Sequence, residues 1–144
     1  MELGDVHQAV EMRLAREGLR YTAARRSLVA ALVAAARPLT IPELVQAGEG
    51  LAVSSAYRNL AVLETVGVVE RVVTPDDHQR WELSGDLRGH HHHLVCVVCG
   101  GVEDFDLPGE LEESLGRVVG LAAANGFEVE DHRLDLIGRC GECR

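Results

Sequence analysis

The sequence contains no lysine, so all fourteen of its basic residues are arginines. Against 23 acidic residues they leave a formal net charge of −9, which does not attract polyanions to the whole surface. The charge is uneven. Residues 1–84 carry nine arginines and eleven acids (net −2), whereas residues 85–144 carry five arginines and twelve acids (net −7). The second half is therefore a poor nucleic-acid surface, and its composition suits cation binding.

Aromatic residues and long apolar segments are also scarce. Aromatics make up 3% of the chain, too few for the stacking surfaces that bind single strands. The longest apolar run, Leu28–Ala36, is shorter than the roughly 20 residues that span a bilayer, which argues against a membrane partner. The N-terminus has no charged-then-apolar signal segment, so we expect a cytoplasmic chain. With 144 residues, 47% of them hydrophobic, the composition predicts one globular unit or two very small domains.

Helical spacing of apolar residues predicts four short helices in the first half of the chain. The first contains Val6, and the second follows Thr22 as an N-cap and continues to about Arg37. A capping-box spacing at Thr40–Glu43 opens the third. The fourth runs from about Ser54 to Val66. Its predicted core face consists of Val53, Ala56, Leu60 and Leu63.

Two β-prone runs follow, Val68–Val73 and Arg80–Leu83, and the turn between them includes Thr74–Asp77. Together they predict a β-hairpin. Several short helices followed by a hairpin is the element order of a winged helix-turn-helix, which places one helix in the DNA major groove. A small helical domain with a hairpin and no DNA-binding role is equally compatible with this pattern.

The second half is expected to be a separate α/β domain over residues 85–144, after a winged-helix domain over residues 1–84, so the predicted fold class is α+β. A domain of this size buries little core, and a zinc staple and a dimer partner would both stabilise it. A linker over Gly85–Gly89 is predicted first, followed by strands over His93–Val98 and Gly101–Phe105. A helix over Glu110–Asn125 comes next, and two further strands are predicted over Phe127–Val129 and Arg133–Ile137.

The four cysteines form two pairs, Cys96-x2-Cys99 and Cys140-x2-Cys143. Paired CxxC spacing is typical of a structural zinc site, in which four thiolates surround the ion and leave no open position. The alternatives are a disulfide framework or two redox-active CxxC motifs. A cytoplasmic chain disfavours the first alternative, and the presence of two pairs disfavours the second.

Four consecutive histidines, residues 90–93, precede the first cysteine pair. In an extended strand His91 and His93 point to one face, and His90 and His92 to the other, so the run can serve two separate metal sites. An exposed polar stretch and a purification tag are the alternatives. Other candidate ligands, each more typical of a solvated surface when taken alone, are Glu82, Asp104, Glu112 and His132.

The fourth predicted helix places Ser54 and Arg58 opposite its apolar stripe, with Ser55 and Tyr57 at the flanks. Such side chains suit contacts with phosphates and base edges, although an ordinary solvated helix face has the same composition. No HExxH, GxSxG or P-loop motif is present, and the cysteines are assigned to zinc, so we do not expect an enzyme.

Four segments together resemble the ferric uptake regulator (Fur) superfamily over nearly the whole chain: GLRYTAARRSLVAAL, SSAYRNLAVLETVGVVERV, HHHHLVCVVCGGVEDF and HRLDLIGRCGECR. The resemblance implies an N-terminal winged helix and a C-terminal α/β dimerisation domain. It further implies a homodimer that binds operator DNA in response to metal. The implied function is a transcriptional regulator, as a rule a repressor, of metal-homeostasis or peroxide-stress genes.

The resemblance also assigns the candidate residues to sites. It implies structural Zn²⁺ at the four cysteines, a regulatory Fe²⁺, Mn²⁺, Zn²⁺ or Ni²⁺ at a second site, and a third metal site. Glu110 is an alternative to Glu112 in the third. The regulatory site consists of Glu82, His91, His93 and Asp104. The third metal site consists of His90, His92, Glu112 and His132. The resemblance makes Tyr57 and Arg58 DNA contacts, and position and side-chain chemistry add Ser54, Ser55, Arg20 and Arg25.

Two departures from the family pattern stand out. Where the family often has a metal-ligating histidine before the third helix, this chain has Arg37-Pro38-Leu39-Thr40. Two alternatives follow: a weaker regulatory site, or a ligand recruited from elsewhere, such as His78 or Asp104. The recognition motif has Ser-Ala-Tyr-Arg in place of Thr-Val-Tyr-Arg. Competing functions are a zinc-stabilised interaction or metal-storage module that does not bind DNA, and a zinc enzyme using an open position at the histidine-rich site.

Overall fold

The computed structural model describes residues 2–48, 50–76 and 78–144, and the chain folds as two compact units. One unit ends at His90 and the other runs from His91 to Arg144, whereas the sequence predicts a boundary between residues 84 and 85. Within the described ranges, no helix is both long and apolar enough to cross a membrane.

The helices of the first unit bury one apolar stripe each around a common core. Thr22 caps the second helix by accepting a hydrogen bond from the Arg25 backbone N–H. The predicted capping box at Thr40 and Glu43 is confirmed, with both reciprocal bonds present. The helices are α1 (Leu3–Arg16), α2 (Ala23–Ala35), α3 (Ile41–Ala47), α4 (Val53–Thr65) and α5 (Gly85–Arg88).

A three-stranded antiparallel sheet closes the first unit, and it contains the predicted hairpin. Its strands β1 (Leu39–Thr40), β2 (Val69–Val72) and β3 (Arg80–Leu83) lie in the order β1-β3-β2. The hairpin turn is held by Arg80, which donates to both Asp76 carboxylate oxygens at 2.7 and 3.0 Å. Asp77, which the sequence places in this turn, lies outside the described residues.

Three details of the first unit differ from the sequence predictions. Helix α2 ends at Ala35, because Ala36 adopts a left-handed conformation (φ 50°) and its carbonyl accepts a hydrogen bond from Arg88. The predicted linker is helical over Gly85–Arg88, since Leu87 is buried in the core. Val53 begins α4 and is 53% exposed, so its predicted place on the core face is wrong.

The second unit combines a three-stranded mixed sheet with one long helix, and the α+β fold class is confirmed. The strands β4 (His92–Cys96), β5 (Val102–Phe105) and β6 (Asp135–Gly138) lie in the order β5-β4-β6. The central strand β4 pairs antiparallel with β5 and parallel with β6. The helix α6 spans Gly109–Ala124.

Three large apolar side chains of α6 stay exposed within the chain. Leu111, Val118 and Leu121 are 51%, 58% and 67% exposed. The predicted strand at Phe127–Val129 is wrong, because this segment pairs with no other strand in the described part of the second unit. Phe127 is itself 65% exposed. The small sheet therefore leaves much of the unit's apolar surface uncovered, as expected for a domain of this size.

Candidate metal centres and nucleic-acid interface

The turns after β4 and β6 bring the two cysteine pairs together. The four sulfur atoms of Cys96, Cys99, Cys140 and Cys143 lie within 4.8 Å of one another, and all four are free thiols. Cys99 Sγ lies 3.9 Å from Cys140 Sγ. A tetrahedral zinc with Zn–S bonds of about 2.3 Å requires sulfur separations of about 3.8 Å. The Cys99–Cys140 separation matches this value, so the cluster suits Zn²⁺, and the four thiols form no disulfide.

The backbone around the cluster favours the thiolate form of one cysteine. Hydrogen bonds from backbone N–H groups, first that of Cys99 and then that of Cys140, lower the pKa of the Cys96 thiol to about 6. A hydrogen bond with the Cys140 thiol instead raises the pKa of Cys143 to about 12. The crowded sulfurs thus retain protons that a bound divalent cation would displace, which is the donor chemistry expected of a zinc site.

A second cluster consists of His91, His93 and Asp104, whose ligand atoms lie within 4.8 Å of one another. Asp104 Oδ1 is 4.0 Å from His91 Nε2 and 3.9 Å from His93 Nε2. The antiparallel register of β4 and β5 creates this arrangement, because it places His93 directly opposite Asp104. Two imidazole nitrogens and a carboxylate, with no sulfur, form a set that binds first-row divalent metals.

Asp135, on β6, orients one of these imidazoles. Its Oδ1 lies 3.1 Å from His93 Nδ1, so the ring donates its Nδ1–H to the carboxylate and turns Nε2 toward Asp104. The parallel register of β4 and β6 sets His93 opposite Asp135. Sequence analysis missed this residue, because a lone aspartate in a predicted strand carries no spacing signal.

The third cluster lies on the other face of β4 and is formed with α6. His92 is 1% exposed, and its Nε2 bonds Glu112 Oε1. The other carboxylate oxygen of Glu112 lies 3.6 Å from His132 Nε2. Of the two acids that the sequence offered here, the geometry brings Glu112, and not Glu110, to the histidines.

Three other candidate ligands belong to the first unit, as does Arg37. Glu82, on β3, is 3% exposed, and Arg88 Nη1 lies 3.0 Å from its Oε2. Arg37, at the position where the family often has histidine, donates to Glu43 at 2.9 Å and to the Pro38 carbonyl at 3.1 Å, and a guanidinium does not ligate metal. The remaining two are His90, the exposed last residue of the unit, and His78, which lines a surface cavity with Tyr57.

Helix α4 presents Ser54, Tyr57 and Arg58 to solvent. Tyr57 is 50% exposed, and its ring meets the buried Trp81 ring edge-on with centroids 6.1 Å apart, which fixes its direction. A phenol, a hydroxyl and a guanidinium on one exposed helix face can donate to phosphates and base edges.

Two further predicted DNA contacts, Ser55 and Arg25, are half-buried and bond other residues of the protein. Ser55 is half-buried, and its hydroxyl accepts a hydrogen bond from the Asn59 amide at 3.2 Å. Arg25 is also half-buried, and it donates to Asn59 and to the Arg20 carbonyl. Arg20 itself is exposed on the loop before α2.

Comparison with known proteins places this geometry in a family. The sequence model of the Ferric uptake regulator family matches residues 16–137. The Peroxide operon regulator of Bacillus subtilis (strain 168) is 32% identical over 99% of this chain and 96% of its own length. The Peroxide-responsive repressor PerR of Staphylococcus epidermidis is 28% identical over 99% of this chain and 95% of its own length.

Solved structures agree on the fold. The ferric uptake regulator of Helicobacter pylori superimposes with a TM-score of 0.78 at 24% identity, covering 99% of this chain and 94% of that one. The manganese-containing ferric uptake regulator of Pseudomonas aeruginosa gives 0.69 at 30% identity, covering 90% and 96%. Both the sequence match and the two-unit architecture thus lead to one assignment, and the chain belongs to the ferric uptake regulator family.

Proposed function

We propose that this protein is a metal-dependent, DNA-binding transcriptional regulator that acts as a repressor. The observation that carries the proposal is the histidine strand β4, which supplies imidazoles to two separate clusters of nitrogen and oxygen ligands. The same strand ends in Cys96 of the four-thiol cluster. In a member of this family, such a concentration of ligands next to a winged helix in sequence supports control of DNA binding by metal.

The four-cysteine cluster is proposed to hold a structural Zn²⁺. Four thiolates fill a tetrahedral shell, so this site offers no position for a substrate or a sensed ligand. The ion would tie the turn after β4 to the turn after β6, and its binding free energy would stabilise a unit with a small core. The family neighbour described as a zinc-bound manganese uptake regulator contains zinc, at 29% identity to this chain.

The cluster of His91, His93 and Asp104 is proposed as the regulatory site. Nitrogen and oxygen ligands admit Fe²⁺, Mn²⁺, Zn²⁺ or Ni²⁺, and the bound ion supplies a positive charge that organises them. The resemblance adds Glu82 as a fourth ligand. The cluster of His92, Glu112 and His132, to which the resemblance adds His90, is proposed as a further metal site.

The exposed face of α4 is proposed to enter the major groove of operator DNA. Tyr57, Arg58 and Ser54 would contact base edges and phosphates there, and Arg20 would contact a phosphate. Because the first half of the chain has a net charge of −2, general attraction is weak and individual arginines must supply the phosphate contacts. Ser55 and Arg25 are half-buried, and both bond Asn59.

The protein is further proposed to act as a homodimer that binds a palindromic operator. The exposed apolar residues Leu111, Val118 and Leu121 of α6 support association of the second unit with a copy of itself. Light scattering after size-exclusion chromatography should give twice the mass of 15.6 kDa, and a monomeric mass at micromolar concentration would contradict this.

The test of the proposed function is DNA binding as a function of metal. Protein with zinc in the four-cysteine site is titrated against a promoter-fragment library, without added metal and with Fe²⁺, Mn²⁺, Zn²⁺ or Ni²⁺. We expect at least one metal to enhance binding strongly, and the double variant His91→Ala/His93→Ala to lose this response while it keeps its zinc. His132→Ala serves as the matched control from the other cluster. Binding that is equal with and without every metal would refute the proposal.

The names of the sequence relatives favour peroxide as the stimulus. Both are called peroxide regulators, and the proposed regulatory ligands include imidazoles that can be oxidised beside a bound iron. Peroxide should then release DNA from the Fe²⁺-loaded protein and leave the Mn²⁺-loaded protein bound. Mass spectrometry should locate added oxygen on His91 or His93. Equal resistance of both metal forms to peroxide would restrict the function to metal sensing.

A further inference from the structure

Arg25 connects two segments of the proposed DNA-binding surface. Its Nε donates to Asn59 Oδ1 on α4 at 3.0 Å, and its Nη1 donates to the backbone carbonyl of Arg20 at 2.6 Å. Both acceptors belong to the protein, so two of the three guanidinium nitrogens are engaged inside the first unit. The planar guanidinium fixes the directions of these two bonds relative to each other.

Asn59 also bonds Ser55, so it extends the contacts of Arg25 along α4. Its side-chain amide donates to the Ser55 carbonyl at 2.9 Å and to the Ser55 hydroxyl at 3.2 Å, one helical turn earlier. Asn59 and Ser55 are half-buried, whereas Tyr57 and Arg58 are exposed. The contacts thus run from the loop that carries Arg20, through Arg25, to the first turns of the recognition helix.

We propose that Arg25 is a positioning residue for DNA recognition and not a phosphate contact, an inference that rests on the proposed function. Arg25 sets the placement of the Arg20 loop relative to α4, so that Arg20 and the exposed side chains of α4 engage the same duplex together. Its positive charge is used to hold Asn59 and the Arg20 carbonyl. This role differs from that expected from the sequence, where an arginine beside a predicted recognition helix suggests contact with phosphate.

The two roles differ in their dependence on salt. An arginine that neutralises a phosphate releases condensed counterions, so its removal flattens the plot of log K against log salt by about 0.9 per contact. A residue that only orients other contacts leaves this slope unchanged. Its loss weakens the preference for the correct sequence, because misplaced side chains meet base edges poorly while general attraction persists.

The experiment compares Arg25→Ala, Arg25→Lys and Asn59→Ala with the parent, and Arg20→Ala serves as the phosphate-contact control. The probes are a duplex selected from a random-sequence library with the metal-loaded parent, and a scrambled duplex of equal composition. We expect the three test variants to bind the selected duplex about tenfold more weakly and the scrambled duplex unchanged. Their salt slopes should equal that of the parent, whereas Arg20→Ala should flatten it.

Lysine keeps the charge but cannot supply two N–H groups in fixed directions, so Arg25→Lys should not rescue binding. The double variant Arg25→Ala/Asn59→Ala should bind no more weakly than Arg25→Ala, because both changes break one connection. Fluorescence of Trp81, the one tryptophan of the sequence, checks that the first unit stays folded. If Arg25→Ala unfolds it, Asn59→Ala still tests the connection with the charge in place.

Three results would overturn the inference: a flattened salt slope for Arg25→Ala, parental affinity for Arg25→Lys, or parental affinity for Asn59→Ala. Failure of the proposed function is distinguishable from all of them. In that case the parent itself enriches no duplex from the library with any metal, and the inference falls with it.

Discussion

Replacing Asp135 with Asn should weaken metal binding at the cluster of His91, His93 and Asp104, although Asp135 is not itself one of the proposed ligands. Its carboxylate accepts the Nδ1–H of His93 at 3.1 Å, which fixes the ring and raises the basicity of Nε2. Loss of such a partner typically costs 10- to 100-fold in affinity, or about 1.4–2.7 kcal/mol. The Arg133 contact to Asp135, at 3.4 Å, involves an exposed guanidinium and adds little.

The measurement is a Mn²⁺ titration, by calorimetry, of protein that already contains zinc at the cysteines. Glu113→Gln on the exposed side of α6 removes the same charge from the same unit, so it controls for general electrostatics. We expect Asp135→Asn to bind Mn²⁺ at least about tenfold more weakly than this control. If the two variants bind Mn²⁺ equally, the Asp135 carboxylate does not orient His93 for metal binding.

Three other perturbations have defined outcomes. Cys96→Ser should abolish the roughly one zinc per chain found by elemental analysis and unfold the second unit, and a folded, zinc-free variant by circular dichroism would contradict the structural role. Asp76→Asn breaks the ion pair with Arg80, whose side chain is 8% exposed, and should lower the free energy of unfolding of the first unit by about 1–3 kcal/mol. Urea unfolding monitored by Trp81 fluorescence measures this change. The Arg80 hydrogen bond holds the pKa of Asp76 well below its usual 3.8. The stabilisation by this ion pair is therefore complete above pH 3.8 and is lost as the pH falls through the lowered pKa, so a stability difference between variant and parent that does not change with pH would refute the role of the ion pair. Arg58→Ala should weaken binding to selected DNA by roughly 1–3 kcal/mol in an anisotropy titration, and parental affinity in a folded variant would show that α4 does not read the groove.

Local signals in the sequence predicted most of the helices and the hairpin of the first unit. The Thr40–Glu43 spacing predicts a capping box because both bonds form within one helical turn, and the structure has both. The predicted end of α2, at about Arg37, lies two residues beyond the observed one, and the Ala36 carbonyl there bonds Arg88, fifty-two residues later. Leu87 similarly turns an apparent linker into a helix by reaching the core. Contacts between distant parts of the chain leave no periodic signal.

The same distinction separates the predicted ligands from the residues that support them. Cysteine pairs and a histidine run are visible in the sequence because metal ligands have unusual chemistry and fixed spacing. Asp135 and Asn59 have neither, and each becomes recognisable only when tertiary structure brings it to His93 or to Arg25. The supporting residues of both sites are therefore defined by strand register and helix packing, which a single sequence encodes weakly.

Strand register also explains how one histidine run can serve two sites. Alternation along β4 directs His93 to one face and His92 to the other, and pairing with two neighbouring strands fixes which acids His93 meets. The β5 register places Asp104, and the β6 register places Asp135, opposite His93. A slip of one residue would exchange the faces of β4 and separate His93 from both acids. A zinc ion held by the four thiols would oppose such a slip between β4 and β6, because it would link the turn after β4 to the turn after β6.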